Sequence, residues 1–226
     1  MTKPGRREFE RKPSRYFDKD DSPAVTTGAV KYAFQGNRFI FETGTGIFSK
    51  EGIDTGSEIM LLEFCKHEHP RSGATILDLG CGYGFIGIVL AATFPGTRVD
   101  LVEINPKASK FAQRNASSNG IAGFTLYTLD FTSDDEQKAL GGKHYDYILC
   151  NPPVRAGKET MERMISGAIV RLTGTGTFYI VIKTSLGAKS WQAWFDNNKA
   201  VTMQLFRKGG YRIFKINLNT ETVKNG

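Results

Sequence analysis

From residue 74 onwards, short apolar runs rich in β-branched side chains alternate with segments in which apolar residues recur every three or four positions. The first pattern is typical of buried strands, and the second of helices with one buried face. We predict strands at residues 75–79, 98–103, 124–129, 145–150, 176–182, 201–206 and 211–218. We predict helices between them at residues 85–94, 106–119, 158–171 and 188–198.

Strands and helices that alternate in this way form a mainly parallel sheet with helices on both faces. The last two strands are separated only by residues 207–210, which are too few for a helical crossover, so we expect them to pair antiparallel. The predicted fold is therefore of the α/β class. It is a doubly wound, Rossmann-like sheet of seven strands, of which only the last is reversed.

Two further elements precede this sheet. Residues 29–42 alternate apolar and polar side chains around Gly36-Asn37, which predicts a β-hairpin. The following apolar segment reaches residue 65 and starts with Asp54 or Thr55 as an N-cap, which predicts a helix.

The chain is accordingly predicted to have three parts. Residues 1–27 combine many charges with three prolines and no apolar period, which is typical of a flexible basic arm. Residues 28–72 form the hairpin-and-helix extension. Residues 73–220 form the main domain.

The composition is that of a globular protein, with 40% hydrophobic residues, enough to bury one core. No run approaches the roughly 20 apolar residues that cross a bilayer, and the N-terminus is charged. The three cysteines lie apart from one another and from the histidines, which argues against disulfides and a structural metal. We expect a cytoplasmic protein without membrane association or metal, and the sequence carries no signal for an oligomeric state.

The net charge of +7 and the pI near 9.3 favour a polyanionic partner, and hence nucleic acid. Many intracellular proteins are basic for solubility alone. The charge therefore indicates a nucleic-acid partner only in combination with a motif.

A glycine-rich segment, DLGCGYG at residues 78–84, follows the first strand of the sheet and opens the first of its helices. Gly80, Gly82 and Gly84 allow the backbone to turn sharply and to approach a ligand closely. Gly82 and Gly84, together with Gly87, also fit the G-x-G-x-x-G fingerprint of dinucleotide-binding proteins. The loop alone is therefore compatible with NAD or with S-adenosylmethionine.

Carboxylates near the strand ends favour S-adenosylmethionine. Asp78 would attract the cationic amino group of a methionine moiety and repel a pyrophosphate. Glu103 can accept hydrogen bonds from both ribose hydroxyls, a task common to both cofactor classes. Asp130, or the backbone beside it, can bind the adenine amino group, although a solvated loop acid is the alternative. The neighbouring Ile104 and Phe131, and Asn151 after the fourth strand, complete the predicted cofactor-binding set.

The sequence Asn-Pro-Pro-Val at residues 151–154 directly follows an apolar strand. An exocyclic amino nitrogen is conjugated with its ring and is a poor nucleophile until it becomes tetrahedral. The side-chain oxygen of Asn151 and the carbonyl of Pro152 can each accept one N–H, which aims the nitrogen lone pair at a methyl donor. The proline rings of Pro152 and Pro153 keep that carbonyl fixed. We therefore expect these three residues to be catalytic, whereas an isolated Asn-Pro-Pro also occurs in ordinary turns.

D-x-G-x-G-x-G after the first strand, together with N-P-P-x after the fourth, resembles the class I S-adenosylmethionine-dependent amino-methyltransferases. Residues 151–158 (NPPVRAGK) and 46–50 (GIFSK) resemble more narrowly the family that forms N2-methylguanine in small-subunit ribosomal RNA. The resemblance covers roughly residues 29–218. It implies a methyltransferase fold in a single catalytic domain, S-adenosylmethionine as cofactor, and ribosomal RNA or a ribosomal particle as partner.

The substrate side of the site is predicted from fewer signals. Arg155 and Lys158 follow the Asn-Pro-Pro loop and can contact a phosphate or a base beside the target, or can be solvated charges at a helix start. The resemblance implies that residues 44–49 fold over the methionine end of the cofactor, with Phe48 there or simply in the core. Longer members of the family carry a second methyltransferase-like domain, whereas about 70 residues precede the first sheet strand here.

Several alternative functions are open at this point. They are methylation of another RNA base, of the adenine amino group in DNA or of a protein glutamine amide, a non-catalytic RNA or cofactor-binding module, and a dehydrogenase. Val154 stands where the adenine and glutamine enzymes more often carry an aromatic residue, and the net charge favours RNA over protein. Asp78 and Asn151 argue against a dehydrogenase.

Overall fold

The computed structural model describes residues 26–44, 52–153 and 157–219, and within these ranges the chain forms nine strands, six α-helices and two short 3-10 helices, Lys138–Leu140 and Thr184–Leu186. The strands are β1 Thr26–Phe34, β2 Asn37–Gly44, β3 Thr75–Leu79, β4 Arg98–Glu103, β5 Phe124–Thr128, β6 Tyr145–Cys150, β7 Leu172–Lys183, β8 Val201–Lys208 and β9 Tyr211–Leu218. The helices are α1 Thr55–His67, α2 Phe85–Thr93, α3 Pro106–Ser118, α4 Asp134–Gln137, α5 Lys158–Val170 and α6 Ala188–Asn197. None of these helices is long and apolar enough to cross a membrane.

Seven of the strands form one sheet in the order β5-β4-β3-β6-β7-β9-β8. The pairs from β5 to β7 are parallel, whereas β9 pairs antiparallel with both β7 and β8. Six strands therefore share one direction and the last strand is reversed, which confirms the predicted fold class. The chain order reverses at β3 and β6, so their carboxyl ends form the switch point at which such sheets bind ligands.

The sheet buries side chains on both faces, as expected where helices cover both sides. In β3, Ile76 packs into a core shared with α1, α2 and α3, whereas its neighbour Leu77 packs into a core shared with α5 and α6. In β6, Leu149 packs into the first of these cores and Ile148 into the second. All four side chains are fully buried, so the strands that end at the switch point are held firmly from both sides.

Two features of the main domain differ from the prediction, the start of β7 and the short helix α4. β7 begins at Leu172, four residues before the predicted start, because Gly174 and Gly176 weaken the strand signal in the sequence. A Cβ atom at Gly176 would lie 2.7 Å from the carbonyl oxygen of Tyr145, so this approach of β7 to β6 requires glycine. The short helix α4 is polar throughout and has no apolar period by which it could be predicted.

The predicted hairpin is present as β1 and β2, but its turn is one residue earlier than expected. Gln35 and Gly36 are the turn residues, and Asn37 is already paired with Phe34. Both turn residues have positive φ, 46° and 82°, which suits the twist of a two-residue hairpin. Glutamine is an uncommon residue in that conformation, which is why the sequence favoured Gly36-Asn37 instead.

Aromatic side chains attach the hairpin to the main domain. The rings of Tyr32 and Phe41 contact the ring of Phe85, at the start of α2, with centroid distances of 5.0 and 5.5 Å. Phe41 also meets Tyr83 of the glycine loop at 5.8 Å. Phe41 and Phe85 are almost completely buried, so the hairpin is part of the same core as the switch point.

Candidate active site

The glycine loop and the Asn-Pro-Pro loop meet at the switch point. Leu79, the last residue of β3, is in register with Cys150, the last residue of β6. Gly80 and Asn151 therefore leave the sheet side by side. The cleft between them, here called the first cleft, is lined by Asp54, Ser57, Asp78, Gly80, Cys81, Gly82, Tyr83, Phe85, Ile86, Asn151, Pro152 and Pro153.

The three loop glycines all have positive φ, but they serve different purposes. A Cβ atom added to Gly80 (φ 74°) or Gly82 (φ 58°) would meet no atom within 4 Å. A Cβ atom on Gly84 (φ 90°) would lie 2.8 Å from Ile88 and 3.3 Å from Ala112. Gly80 and Gly82 thus leave open space over the loop, whereas Gly84 is required for the packing of α2 against α3.

Asp78 lies buried beneath the glycine loop, and its Oδ2 accepts the N–H of Gly87 at 2.8 Å. Burial raises the pKa of Asp78 to about 7; the N–H of Gly87 lowers it, and the charge of Glu103 raises it further. A carboxyl group with such a pKa becomes an anion readily when a cation arrives next to it.

Glu103, at the end of β4, connects the strand to the glycine loop. Its Oε2 accepts the N–H of Gly82 at 2.9 Å, and its Oε1 accepts the N–H of Asn105 at 2.8 Å. Burial raises the pKa of Glu103, while the N–H groups of Asn105, Gly82 and Ile104 lower it. A carboxylate has about four acceptor positions, so the three N–H groups leave capacity for about one further donor, such as a ligand hydroxyl group.

A second cleft continues from the first on the other side of Gly80 and Pro153, which line both. It is lined further by Leu79, Val102, Glu103, Ile104, Leu129, Asp130, Phe131, Thr132, Thr160 and Met164. Asp130 Oδ1 accepts the N–H and the hydroxyl of Thr132 at 2.8 and 2.7 Å. The fold thus brings all the predicted cofactor residues except Gly84 to one of two adjoining clefts.

Asn151 is held by the first turn of α1. Its Nδ2 donates to Asp54 Oδ1 at 2.6 Å and to Ser57 Oγ at 2.8 Å. Among the described residues, no hydrogen bond reaches its side-chain oxygen. Pro152 is buried, and Pro153 lies where the two clefts meet.

Of the predicted substrate residues, Lys158 lines neither of the two clefts. Lys158 starts α5, forms an exposed ion pair with Glu162 at 3.5 Å, and lines a groove along α6 with Trp191 and Trp194. Arg155 and the segment with Phe48 lie outside the described residues, so their predicted positions stay predictions.

Thiol chemistry is not favoured at this site. Cys81 and Cys150 are buried, and burial raises the pKa of both thiols well above the ordinary value, with Asp78 adding to the effect. Thiols of this kind are poor nucleophiles. Within residues 26–44, 52–153 and 157–219, no group of three or more His, Cys, Asp or Glu side chains is arranged to hold a metal ion.

A family model for the methyltransferase small domain matches residues 38–215, which include both loops and both clefts. The chain belongs to this family. YbxB of Bacillus subtilis (strain 168) is 31% identical over 201 residues, which cover 86% of this chain and 94% of YbxB. Ribosomal RNA small subunit methyltransferase C of Enterobacter sp. (strain 638) is 30% identical over 167 residues, which cover 71% of this chain and 46% of that protein.

Solved structures share the fold. The 16S rRNA N2 G1207 methyltransferase RsmC of T. thermophilus, in complex with AdoMet and guanosine, matches with a TM-score of 0.69 and 22% identity, over 85% of this chain and 50% of that chain. The ribosomal protein L11 methylase of Lactobacillus delbrueckii subsp. bulgaricus matches with a TM-score of 0.60 and 18% identity. The chain spans about half the length of the methyltransferase C relatives that it matches.

Membership of the methyltransferase small domain family confirms the predicted cofactor, S-adenosylmethionine, over NAD. The residues of the clefts fit this cofactor. Gly80 and Gly82 leave room for a ligand against the backbone, and the buried carboxyl groups of Asp78 and Glu103 offer acceptors for an ammonium group and for hydroxyl groups.

Asp54 and Ser57 are site residues that the sequence did not indicate. Asp54 was predicted only as a possible N-cap, and it does cap α1, because its Oδ1 accepts the N–H of Ser57 at 2.8 Å. Its second partner, Asn151, is 97 residues away in the sequence. No local pattern reports such a contact, and only the packing of α1 beside the end of β6 creates it.

Proposed function

We propose that this chain transfers the methyl group of S-adenosylmethionine to an exocyclic amino nitrogen, the N2 atom of a guanine in ribosomal RNA. The observation that carries the proposal is the placement of Asn151 beside the glycine loop. Its amide nitrogen is bound by Asp54 and Ser57, whereas no described residue donates to its amide oxygen. An acceptor held in this way at the edge of a cofactor cleft is suited to an incoming N–H group.

We assign the first cleft to the methionine part of the cofactor and the second to its adenosine part. Asp78 would balance the ammonium group, and Glu103 would accept from the ribose hydroxyls. Asp130 would accept from the adenine amino group, with Ile104 and Phe131 enclosing the ring. When bound, S-adenosylmethionine would supply an activated methyl group: attack on the methyl carbon, in line with its bond to the sulfonium sulfur, breaks that bond and releases a neutral thioether.

The Asn-Pro-Pro loop would prepare that nucleophile. Asn151 Oδ1 and the Pro152 carbonyl each accept one N–H of the amino group, which turns the nitrogen lone pair out of conjugation with the ring. Pro153 limits the freedom of the backbone that carries the second acceptor. The methylated nitrogen then becomes acidic and loses one proton to water. A basic side chain is not required, and none of the histidines lines either cleft.

Ribosomal RNA is favoured as substrate by the relatives named ribosomal RNA small subunit methyltransferase C and by the net charge of +7. We propose that residues 73–220 form the catalytic domain and that residues 28–72 extend it. We further propose that the basic residues within 1–27, together with Arg155 and Lys158, contact phosphates of the RNA.

The test is direct identification of the product. Purified protein would be incubated with isotopically labelled S-adenosylmethionine and with small ribosomal subunits, or their naked RNA, from cells that lack the protein. Nuclease digestion and mass spectrometry should then place the label in N2-methylguanosine. Label in N6-methyladenosine or in glutamine would keep the methyltransferase assignment but exclude guanine. Binding of the cofactor without transfer to any of these acceptors would exclude the proposed function.

A further inference from the structure

Within the part of the chain that the structure describes, the amide of Asn151 is bound only on its NH2 side, by groups at the start of α1. Its Nδ2 donates to Asp54 Oδ1 at 2.6 Å and to Ser57 Oγ at 2.8 Å. Asp54 Oδ1 also accepts the backbone N–H of Ser57, so one carboxylate oxygen caps the helix and holds the amide. We propose that Asp54 and Ser57 are positioning residues that fix the amide of Asn151 with its oxygen directed to the reacting amino group, an inference that rests on the proposed function.

The chemistry of the partners decides which way the amide is turned. An ionised carboxylate can only accept hydrogen bonds, whereas an amide has a donor side and an acceptor side. Asp54 therefore requires the NH2 side of Asn151, and the opposite side must present the oxygen. If the amide were flipped, its oxygen would face Oδ1 of Asp54, and two acceptors would lie against each other.

The Asp54–Ser57 pair also makes Asn151 a better acceptor. An amide that donates to a carboxylate is polarised, and its oxygen becomes more negative, because hydrogen bonds in series strengthen one another. A target N–H would thus meet an oxygen that is both fixed in direction and more strongly accepting. Both effects reach the methyl-transfer step through the oxygen of Asn151.

Asp54 and Ser57 lie at the start of a helix that is packed firmly into the core. Ile59, Met60 and Phe64 of α1 are buried in the core that also contains Leu149, two residues before Asn151. At Gly56, a Cβ atom would lie 2.9 Å from the ring of Tyr211, so the first turn of the helix is packed tightly against β9. A helix held in this way can determine the direction of a side chain at the end of a neighbouring strand.

The test uses Ser57→Ala and Asp54→Asn, with Ser57→Thr as the conservative variant and Thr55→Ala as an exposed control in the same helical turn. Ser57→Ala removes one acceptor for Asn151 but keeps the helix cap, which uses the Ser57 backbone. We expect it to lower kcat about 5-fold, with the KM for S-adenosylmethionine and the unfolding midpoint nearly unchanged. Asp54→Asn also keeps a capping residue but lets the amide flip, and should lower kcat on the order of 10-fold or more. Ser57→Thr should recover activity.

A double-mutant cycle separates positioning from a structural effect. In an Asn151→Ala background, Ser57→Ala and Asp54→Asn should cost almost nothing further, because they act through the missing amide. Equal losses in both backgrounds, or wild-type kcat in both single variants, would overturn the inference.

A measurement without turnover keeps this result distinct from a failure of the proposed function. The side-chain amide signals of Asn151 can be assigned by NMR from their absence in Asn151→Ala. Ser57→Ala should shift one amide proton and speed its exchange with water. Unchanged signals would refute the Asp54–Ser57 pair as a positioning device, whereas shifted signals in a protein that methylates no amino nitrogen would refute the proposed function alone.

Discussion

The side-chain amide of Asn115, on α3, pairs with both main-chain polar groups of Glu42, on β2. Its Oδ1 accepts the Glu42 N–H at 2.7 Å, and its Nδ2 donates to the Glu42 carbonyl at 3.1 Å. Asn119 binds the N–H and the carbonyl of Ile40 in the same way, at 3.0 and 2.9 Å. Four residues of helix rise about 6 Å and two residues of strand about 6.6 Å, so the two asparagines match alternate residues of the strand.

These contacts bind main-chain groups on the outer edge of β2, as a neighbouring strand would. One of the two asparagines also reaches the candidate active site. Asn115 Nδ2 also donates to the carbonyl of Tyr83 in the glycine loop at 2.9 Å. Asn115 is fully buried, whereas Asn119 is partly exposed. The hairpin, α3 and the glycine loop are therefore joined through one side chain.

Asn115→Ala should lower the free energy of unfolding by about 2–4 kcal/mol, because it removes three hydrogen bonds to main-chain groups of Glu42 and Tyr83, of which the bond to Tyr83 is buried. Asn119→Ala should cost about 1 kcal/mol, because water can replace its contacts. Urea denaturation of both variants checks the difference. An equal loss of unfolding free energy in the two variants would show that burial does not increase the contribution of the Asn115 contacts to stability.

The glycines of the loop should separate ligand binding from stability. Gly82→Ala should weaken S-adenosylmethionine binding on the order of 10-fold, because its Cβ would occupy open space over the loop; strain at positive φ should cost about 1 kcal/mol of stability. Gly84→Ala should destabilise the fold by about 2–4 kcal/mol, because its Cβ would press on Ile88 and Ala112 in addition to that strain. Calorimetry for binding and thermal unfolding for stability give the two readouts. A larger loss of stability in Gly82→Ala than in Gly84→Ala would contradict the assignment.

The sequence was sufficient to predict the strands and helices of the main domain and the loops that follow Leu79 and Cys150, because these depend on local patterns. That the two strands are neighbours, so that their loops meet at the switch point, follows from the sheet order and was not predicted. The turn at Gln35-Gly36 and the Asn115–Glu42 pairing were not predicted. The first depends on an unusual glutamine conformation, and the second joins residues 73 positions apart in the sequence. In the sequence, Asn115 is an ordinary polar residue of a helix, and its role becomes visible only when the hairpin packs against α3.

Asn151→Ala should lower kcat on the order of 100-fold or more, because it removes an oriented acceptor for the target nitrogen. S-adenosylmethionine affinity should stay within about 2-fold, since the Asn151 side chain donates to α1 rather than holding the glycine loop or the adenosine cleft. Single-turnover methyl transfer and equilibrium binding measure the two quantities. Replacement of His67, His69 or His144 by glutamine should leave the transfer rate unchanged. Near-normal transfer by Asn151→Ala would require a different acceptor for the amino group.

The raised pKa of Asp78 should make both stability and cofactor binding depend on pH. Burial raises this pKa from 3.8 to about 7, so between about pH 4 and 7 the folded protein holds a proton that the unfolded chain releases. The stability of the ligand-free protein should therefore fall as the pH rises through this window. Asp78→Asn, which cannot ionise, should remove this part of the decline in urea denaturation.

Cofactor affinity should change in the opposite direction. An ammonium group beside Asp78 favours its anion, so binding below pH 7 must release the proton, and affinity should rise up to 10-fold per pH unit before it levels near pH 7. Calorimetric titrations of S-adenosylmethionine between pH 5.5 and 7.5 measure this slope. Methylthioadenosine, which lacks the ammonium group, is the matched ligand. The pKa of the nearby Glu103 is also raised. Titration of Glu103 should affect both ligands equally, because both carry the ribose. The slope should be present for S-adenosylmethionine, small for methylthioadenosine and absent in Asp78→Asn. An equal slope for both ligands would place the linked proton on Glu103 and would remove the reason for assigning the ammonium group to Asp78.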